Sequence, residues 1–124
     1  MPFIVQKDES VGKNLVQMLR SRKELCPETV LQYVKNSKGE EKKYDTYTYR
    51  DVYGKVIEFA CALKNLGIKR GDKVGLISDN RREWLITDFA VLSLGASDVP
   101  RGCDSMGTEI RFILNFVECH VCFF

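Results

Sequence analysis

Glycine-rich phosphate loops are missing from this chain. Neither G-x-G-x-x-G nor G-x-x-x-x-G-K-[ST] occurs, and the pairs Gly71/Gly75 and Gly102/Gly107 have the wrong neighbours for either. A self-contained nucleotide site of the P-loop or dinucleotide type is therefore excluded. Histidine is almost absent as well: His120 is the only one, with no nearby serine and no patterned acid, so a catalytic triad cannot be assembled. No charge of one sign accumulates. The 19 basic and 17 acidic residues are spread along the chain for a formal net charge of +2, which argues against a nucleic-acid surface and against an acidic tail. Long apolar runs are missing too. The opening Met1-Pro2-Phe3-Ile4-Val5 is closed off by Gln6, Lys7 and Asp8, too short for a transmembrane segment and without the charged start of a signal peptide. No repeat or low-complexity segment is visible.

What is present is an ordinary globular composition, 44% hydrophobic and 29% charged over 124 residues, enough for one domain. The chain is organised around Thr48 to Gly71, where helix start, stripe and stop agree. Thr48 is placed to cap the helix, with Asp51 at the third helical position reaching back. Val52, Val56, Phe59, Leu63 and Leu66 recur at helical spacing, while Arg50, Lys55, Glu58 and Lys64 point elsewhere. Gly67 supplies a left-handed stop, Ile68 folds back on the last turn, and Lys69 and Arg70 add positive charge near the C-terminal end of the dipole. Gly54 is the misfit, costing roughly 1 kcal/mol against Ala unless a neighbour packs close to it.

Before this helix, the pattern predicts a helix over 11–24 capped by Ser10, with Leu15, Met18 and Leu19 as a narrow stripe and Pro27 ending it. Thr29 to Val34 and Lys43 to Tyr47 then read as two strands of a β-hairpin whose tip includes Asn36-Ser37-Lys38-Gly39. After it, Lys73 to Ser78 is a short apolar run typical of a buried parallel strand. Asn80 is placed to cap a helix over 81–94, with Glu83 closing a capping box and apolar residues on more than one side. Gly95 stops that helix, Ala96 to Val99 forms the next strand, and Pro100 ends it. A helix over 108–117 carries Ile110, Ile113, Leu114 and Val117 on one face, and Cys119 to Phe124 forms a last strand. One core joining Phe59, Leu63, Phe89 and Leu92 is expected. The fold class is α/β: an N-terminal β-hairpin, then alternating helices and mostly parallel strands with right-handed crossovers.

Cys119-His120-Val121-Cys122 has the spacing of a zinc knuckle or a redox pair. On a strand, however, positions 119 and 122 project to opposite faces, and no second C-x-x-C or spaced histidine pair completes four ligands. Cys26, Cys61 and Cys103 are scattered, making five in all. Free thiols in a reducing cytoplasm are the expectation. No metal-ligating, cofactor-binding or catalytic residue is assigned.

Thr48-Tyr49-Arg50-Asp51-Val52, Ala60-x-x-Leu63-x-x-x-Gly67-Ile68-x-x-Gly71-Asp72-x-Val74, Asn80-x-x-Glu83-Trp84 and Gly95-Ala96-Ser97-x-Val99-Pro100 follow one another in one order. Together they resemble the N-terminal part of the adenylate-forming (AMP-binding) acyl-CoA synthetases, most like the long-chain fatty acid–CoA ligases, over roughly Thr29 to Phe124. The resemblance implies a ligase of fatty acid metabolism that uses ATP and Mg²⁺ to make an acyl-adenylate and then passes the acyl group to CoA. It also implies that the ATP-holding Ser/Thr/Gly-rich loop, the Tyr-Gly-x-Thr-Glu segment, the ribose-binding Asp and the catalytic Lys lie outside this sequence, so no catalytic residue carries over. Where the family usually has an apolar residue before Val-Pro, this chain has Asp98, and Arg101-Gly102-Cys103-Asp104 follows Pro100; an Asp98–Arg101 ion pair at the loop end is expected, the alternative being that Arg101 faces a substrate or partner.

The domain reading is a helical lead-in over 1–28 and a partial α/β subdomain over 29–124. Because Val121-Cys122-Phe123-Phe124 is an uncapped apolar strand, the chain reads as truncated at its C-terminus, inactive alone, and self-associating through that strand. A cytoplasmic location is expected, peripheral to a membrane in the complete enzyme. Two readings of another class stand beside the ligase: a non-enzymatic α/β interaction domain that completes its sheet with a partner, and a flavodoxin-like receiver module with Asp79 as its acid. The receiver's acidic pair after the first strand and its late lysine are not seen.

Overall fold

The computed structural model describes residues 13–36 and 43–124. Ser10, Val11 and most of the expected hairpin tip lie outside them. The first helix, α1 (Leu15–Leu25), starts later than the apolar pattern suggested, because Asn14 makes the cap: its side chain accepts the Gln17 N–H at 2.9 Å. Of its stripe, Leu19 is buried and Met18 packs against the core, while Leu15 is exposed. The hairpin follows as β1 (Val30–Asn36) and β2 (Lys43–Thr48), antiparallel and forming a sheet of its own.

Thr48 ends β2 and begins α2 (Tyr49–Asn65). Asp51 N–H donates to Thr48 Oγ1 at 3.2 Å and Thr48 N–H donates to Asp51 Oδ2 at 2.8 Å, the reciprocal box expected from the sequence. Val52, Val56, Ala60 and Leu63 are buried on one face. Leu66 is not: it is the C-terminal cap and 64% exposed. The last turn tightens there, so the stripe passes to Ile68. Gly67 takes φ +91°, its N–H donates to the Lys64 carbonyl, and Ile68 N–H donates back to the Leu63 carbonyl at 3.1 Å, which folds the Ile68 side chain into the core.

The second sheet has three strands in the order β4-β3-β5, all parallel: β3 (Lys73–Ile77), β4 (Ser97–Arg101) and β5 (Val121–Phe123). The α3 helix (Arg82–Ser93) links β3 to β4, and α4 (Gly107–Phe116) links β4 to β5. This confirms the alternating α/β reading and corrects several details. Asn80 does not cap α3; Arg81 does, without a side-chain hydrogen bond, and Glu83 accepts from Arg81 Nε at 3.2 Å instead of closing a box. Gly95 (φ +70°) ends α3 with the same paired bonds as Gly67, Gly95 N–H to Leu92 and Ala96 N–H to Val91. Pro100 does not end β4 but sits within it, opposite Leu76. It is tolerated because β4 is an edge strand: Ser97 N–H donates inward to the Asp72 carbonyl, so alternation directs residues 98 and 100 outward, where a missing N–H breaks no bond.

One core unites Leu19, Val52, Val56, Leu63, Ile68, Val74, Ile86, Phe89, Ala90 and Val91, with Phe59 packed against it. Leu92, expected in that core, is half-buried instead and lines a surface groove with Leu15 and Arg70. On a helix whose buried residues run from Ile86 to Val91, position 92 faces past the sheet toward the start of α1. The four residues expected on one face of α4, Ile110, Ile113, Leu114 and the cap Val117, are all half-buried. They reach β3 at Gly75, where a Cβ would stand 2.8 Å from Leu114 Cδ2 and 2.9 Å from Cys122 Sγ.

Candidate site at the carboxyl ends of the parallel strands

In open α/β sheets the crevice beyond the carboxyl ends of parallel strands gathers loop residues from several connections. Here Ser78 leaves β3 and Arg101 leaves β4 side by side, tied by Ser78 N–H donating to the Arg101 carbonyl at 3.1 Å. With Asn80, Trp84, Pro100, Gly102, Ser105 and Glu109 they line a groove of about 480 Å³. A turn closes its floor, Ser105 N–H donating to the Gly102 carbonyl at 3.2 Å, with the Asp104 carboxylate against Gly102 where a Cβ would stand. A larger residue at 102 would require the Asp104 side chain to turn away. The groove offers one guanidinium, one carboxylate, two hydroxyls, an amide and an indole: groups suited to orienting a polar molecule.

They are not suited to holding a magnesium triphosphate. Arg101 is the one cation of the lining and shares the groove with the Glu109 carboxylate, and among the described residues no group of three His, Cys, Asp or Glu gathers to hold a metal ion. Glu83, on the first turn of α3, is held below the usual carboxylate range by its own backbone N–H and by Arg81, so its anion already neutralises that helix end.

Asp98 does not pair with Arg101. Three residues apart on a strand, the two side chains leave opposite faces. Asp98 instead meets Asp88 on α3; burial, the Asp98 hydrogen bond and its charge push the Asp88 carboxyl up to about 6. When Asp88 carries a proton, the two carboxyl groups can hydrogen-bond and link α3 to β4. Asp79 is exposed just after β3, and its carbonyl accepts the Ser78 hydroxyl at 3.0 Å.

Cys119 and His120 precede β5 rather than lying within it. Cys119 Sγ donates to the Val121 and Lys73 carbonyls at 3.2 and 3.3 Å, and burial pushes its thiol up; Cys122 is pushed up by burial and by Cys119. Protonated thiols bonded to backbone are poor nucleophiles and poor ligands. All five cysteines are free.

A constellation that sequence patterns do not mark joins the hairpin to the α/β layer. The Arg82 guanidinium lies 3.4 Å over the Tyr47 ring, and Gln32 Nε2 donates to the Arg82 carbonyl at 3.4 Å. Gln32 Oε1 and Arg82 Nε are buried there without a partner. The only available signal was an arginine at a helix start facing a strand aromatic, too common to single out. Another groove, between α2 and α3, has an apolar floor of Phe59, Ala62 and Ile86 and a rim in which Lys55 already pairs with Glu58 at 2.7 Å.

Comparison with known proteins agrees with this architecture. The family model for AMP-binding enzymes matches residues 22–124. The long-chain-fatty-acid–CoA ligase FadD15 of Mycobacterium tuberculosis is 41% identical over 64 residues, 52% of this chain and 11% of the relative. Long chain acyl-CoA synthetase 5 of Arabidopsis thaliana is 35% identical over 88 residues, 70% of this chain and 13% of the relative. The solved structure of a Mycobacterium tuberculosis fatty acyl CoA synthetase superposes with a TM-score of 0.77 at 29% identity, over 88% of this chain and 20% of that one. The chain thus spans about a tenth of the length of the curated relatives it matches. On that match, extending over most of its length, the chain belongs to the AMP-binding family of adenylate-forming enzymes.

Proposed function

We propose that this chain forms the N-terminal part of a long-chain fatty acid–CoA ligase, in which ATP and Mg²⁺ activate the fatty acid as an acyl-adenylate and CoA takes the acyl group. The observation that carries the reading is the 41% identity to a long-chain ligase over 64 residues. A second named long-chain synthetase, matched over 88 residues, supports it. In this reading the chain is scaffold: the lead-in over 1–28 and the layer over 29–124 set out a strand-end groove that presents Arg101, Asn80 and the Ser78 and Ser105 hydroxyls to a polar molecule. Because the positioned donors that a nucleotide requires are not among these residues, the 124 residues alone neither bind ATP nor form adenylate. Five free thiols fit a reducing compartment, and the reading puts the chain in the cytoplasm.

Replacing the matching stretch of FadD15 by residues 29–124 tests the ligase reading. A folded chimera is expected to keep forming long-chain acyl-CoA; one that folds but releases no pyrophosphate with fatty acid, ATP and CoA overturns it. Calorimetric titration of the 124-residue chain with magnesium ATP tests the scaffold claim separately, and saturable binding would refute it.

A further inference from the structure

We propose that the end of α2 and the turn that follows it, Lys64 to Arg70, form a docking surface for an anionic lipid membrane, on a face that the ligase reading leaves unused. Lys64, Lys69 and Arg70 line one groove of about 550 Å³ with Leu94 from the end of α3. The groove stands at the amino ends of β3 and β4, whereas the strand-end groove lies beyond their carboxyl ends. Its two walls are tied together: Gly71 N–H donates to the Gly95 carbonyl at 3.0 Å. The stem of Arg70 also lies across Gly95, with Cγ 3.0 Å from where a Cβ would stand, so this cation is placed where α2 and α3 both end.

The charge of this groove is unbalanced. Its lining has three cations and no carboxylate, and all three cations are exposed. Among the described residues no ion pair or side-chain hydrogen bond involves any of them, while Arg20, Arg50, Lys55 and Arg81 each pair with a glutamate. Helix ends account for part of the charge. The C-termini of α2 and α3 each carry about half a negative elementary charge, and the carboxylate of Asp72, which accepts the Lys69 N–H at 2.7 Å, adds one more. That falls short of three positive charges, so an excess faces solvent.

An apolar residue in the same turn selects a membrane over a soluble polyanion. Leu66, between Lys64 and Lys69 in the chain, is 64% exposed, because it caps α2 where the buried stripe has passed to Ile68. A phosphate or an acidic peptide meets the cations and leaves this leucine in water. A bilayer interface takes up the leucine while anionic headgroups meet the charges, and the lysine stems reach along the apolar boundary with their ammonium groups in the headgroup layer. Each Lys or Arg near an anionic surface is worth about a fivefold gain in partitioning, so three give a preference for anionic over neutral lipid on the order of a hundredfold.

The test floats the full chain through a density gradient with vesicles of phosphatidylcholine alone or of equal parts phosphatidylcholine and phosphatidylglycerol. Binding to the mixed vesicles only is expected, weakening as salt rises. Lys64→Gln with Lys69→Gln and Arg70→Gln should lower it by about two orders of magnitude. Leu66→Ser should lower it severalfold, and removal of the same charge at Arg20, Lys55 and Arg81 should lower it far less. No binding, or equal binding to both vesicles, overturns the proposal. So does an equal loss in the two triple variants, which would make net charge the cause. Displacement by inorganic phosphate beyond that by chloride of the same ionic strength, with Leu66→Ser unaffected, would show a soluble phosphate ligand and overturn the membrane assignment. If the Lys64, Lys69 and Arg70 triple variant fails to fold, Lys64→Gln and Lys69→Gln singly decide: a loss of about fivefold in each upholds the proposal and no loss in either overturns it.

Discussion

On one side of β3, α2 and α3 bury nine side chains between them, from Val52 to Val91, and each helix ends in a glycine that turns the next apolar residue, Ile68 or Ala96, back into the core. On the other side α4 buries none completely, begins at Met106 without a side-chain cap, and leaves Phe112 and Phe116 stacked on its surface at 67% and 78% exposure. Both sides use helices of similar apolar content. The difference lies in what each helix has to pack against: α2 and α3 pack extensively on each other as well as on the sheet, whereas among the described residues α4 has no comparable helix partner. Burial follows from having two partners, and a helix with one partner keeps a dry face toward solvent.

The comparison can be broken most strongly at Leu63. It is fully buried, so Leu63→Ala should cost about 2 to 5 kcal/mol, while Ile113→Ala on the half-buried side should cost less than half of that. Equal shifts of the denaturation midpoint would show that the two sides are packed alike. Next is Gly75, the point where α4 comes closest to the sheet. A methyl there meets Leu114 and Cys122, and Gly75→Ala should cost about 1 to 3 kcal/mol and speed amide exchange in β5 more than in α3. Gly54 sharpens the contrast from the other direction. It lies mid-helix with nothing within 4 Å of a built Cβ, so Gly54→Ala should raise stability by about 0.5 to 1 kcal/mol, read from the thermal midpoint.

The smallest effect is a pH dependence. Asp88 is pushed up to about 6 by burial first and by Asp98 second, from the ordinary aspartate value of 3.8. The folded chain therefore holds a proton that the unfolded chain has released. Stability from this pair is complete below about pH 4 and is lost as pH rises through about 6, by under about 1 kcal/mol after solvent screening. Asp88→Asn should flatten the urea midpoint across that window; an unchanged slope would mean that Asp88 titrates as an ordinary carboxylate.

The central helix was legible in the sequence because its cap, stripe and stop are local: Thr48, Asp51, Gly67 and Ile68 all act within a turn of one another. The parallel sheet followed from alternation of apolar runs with helices, while the strand order β4-β3-β5 was not read from the sequence. What escaped depends on atoms distant in sequence. Asn14 rather than Ser10 caps α1, because several polar residues precede the stripe and only the folded backbone chooses among them. Pro100 was misread as a strand end because whether a strand lies at the edge is a property of the sheet. Asp98 was matched to the nearest opposite charge along the chain, whereas the partner it meets, Asp88, is a like charge on another element. The strand-end groove drew only partial notice: Asp98 and Arg101 stood out as departures from a family pattern, but nothing in spacing brings Ser78, Trp84 and Arg101 to one place.

The proline on the outward side of β4 bears on the order of assembly. As the chain leaves the ribosome, β3 and β4 emerge before β5, and the edge from which Pro100 removes a donor belongs to the earlier pair. A strand adding to that pair meets a full set of donors on the flank of β3 that β5 takes and one donor fewer on the outer side of β4. A residue whose local cost is a missing hydrogen-bond donor acts in this way as a ratchet on the order of assembly. Its benefit would appear during translation and be invisible in the finished fold.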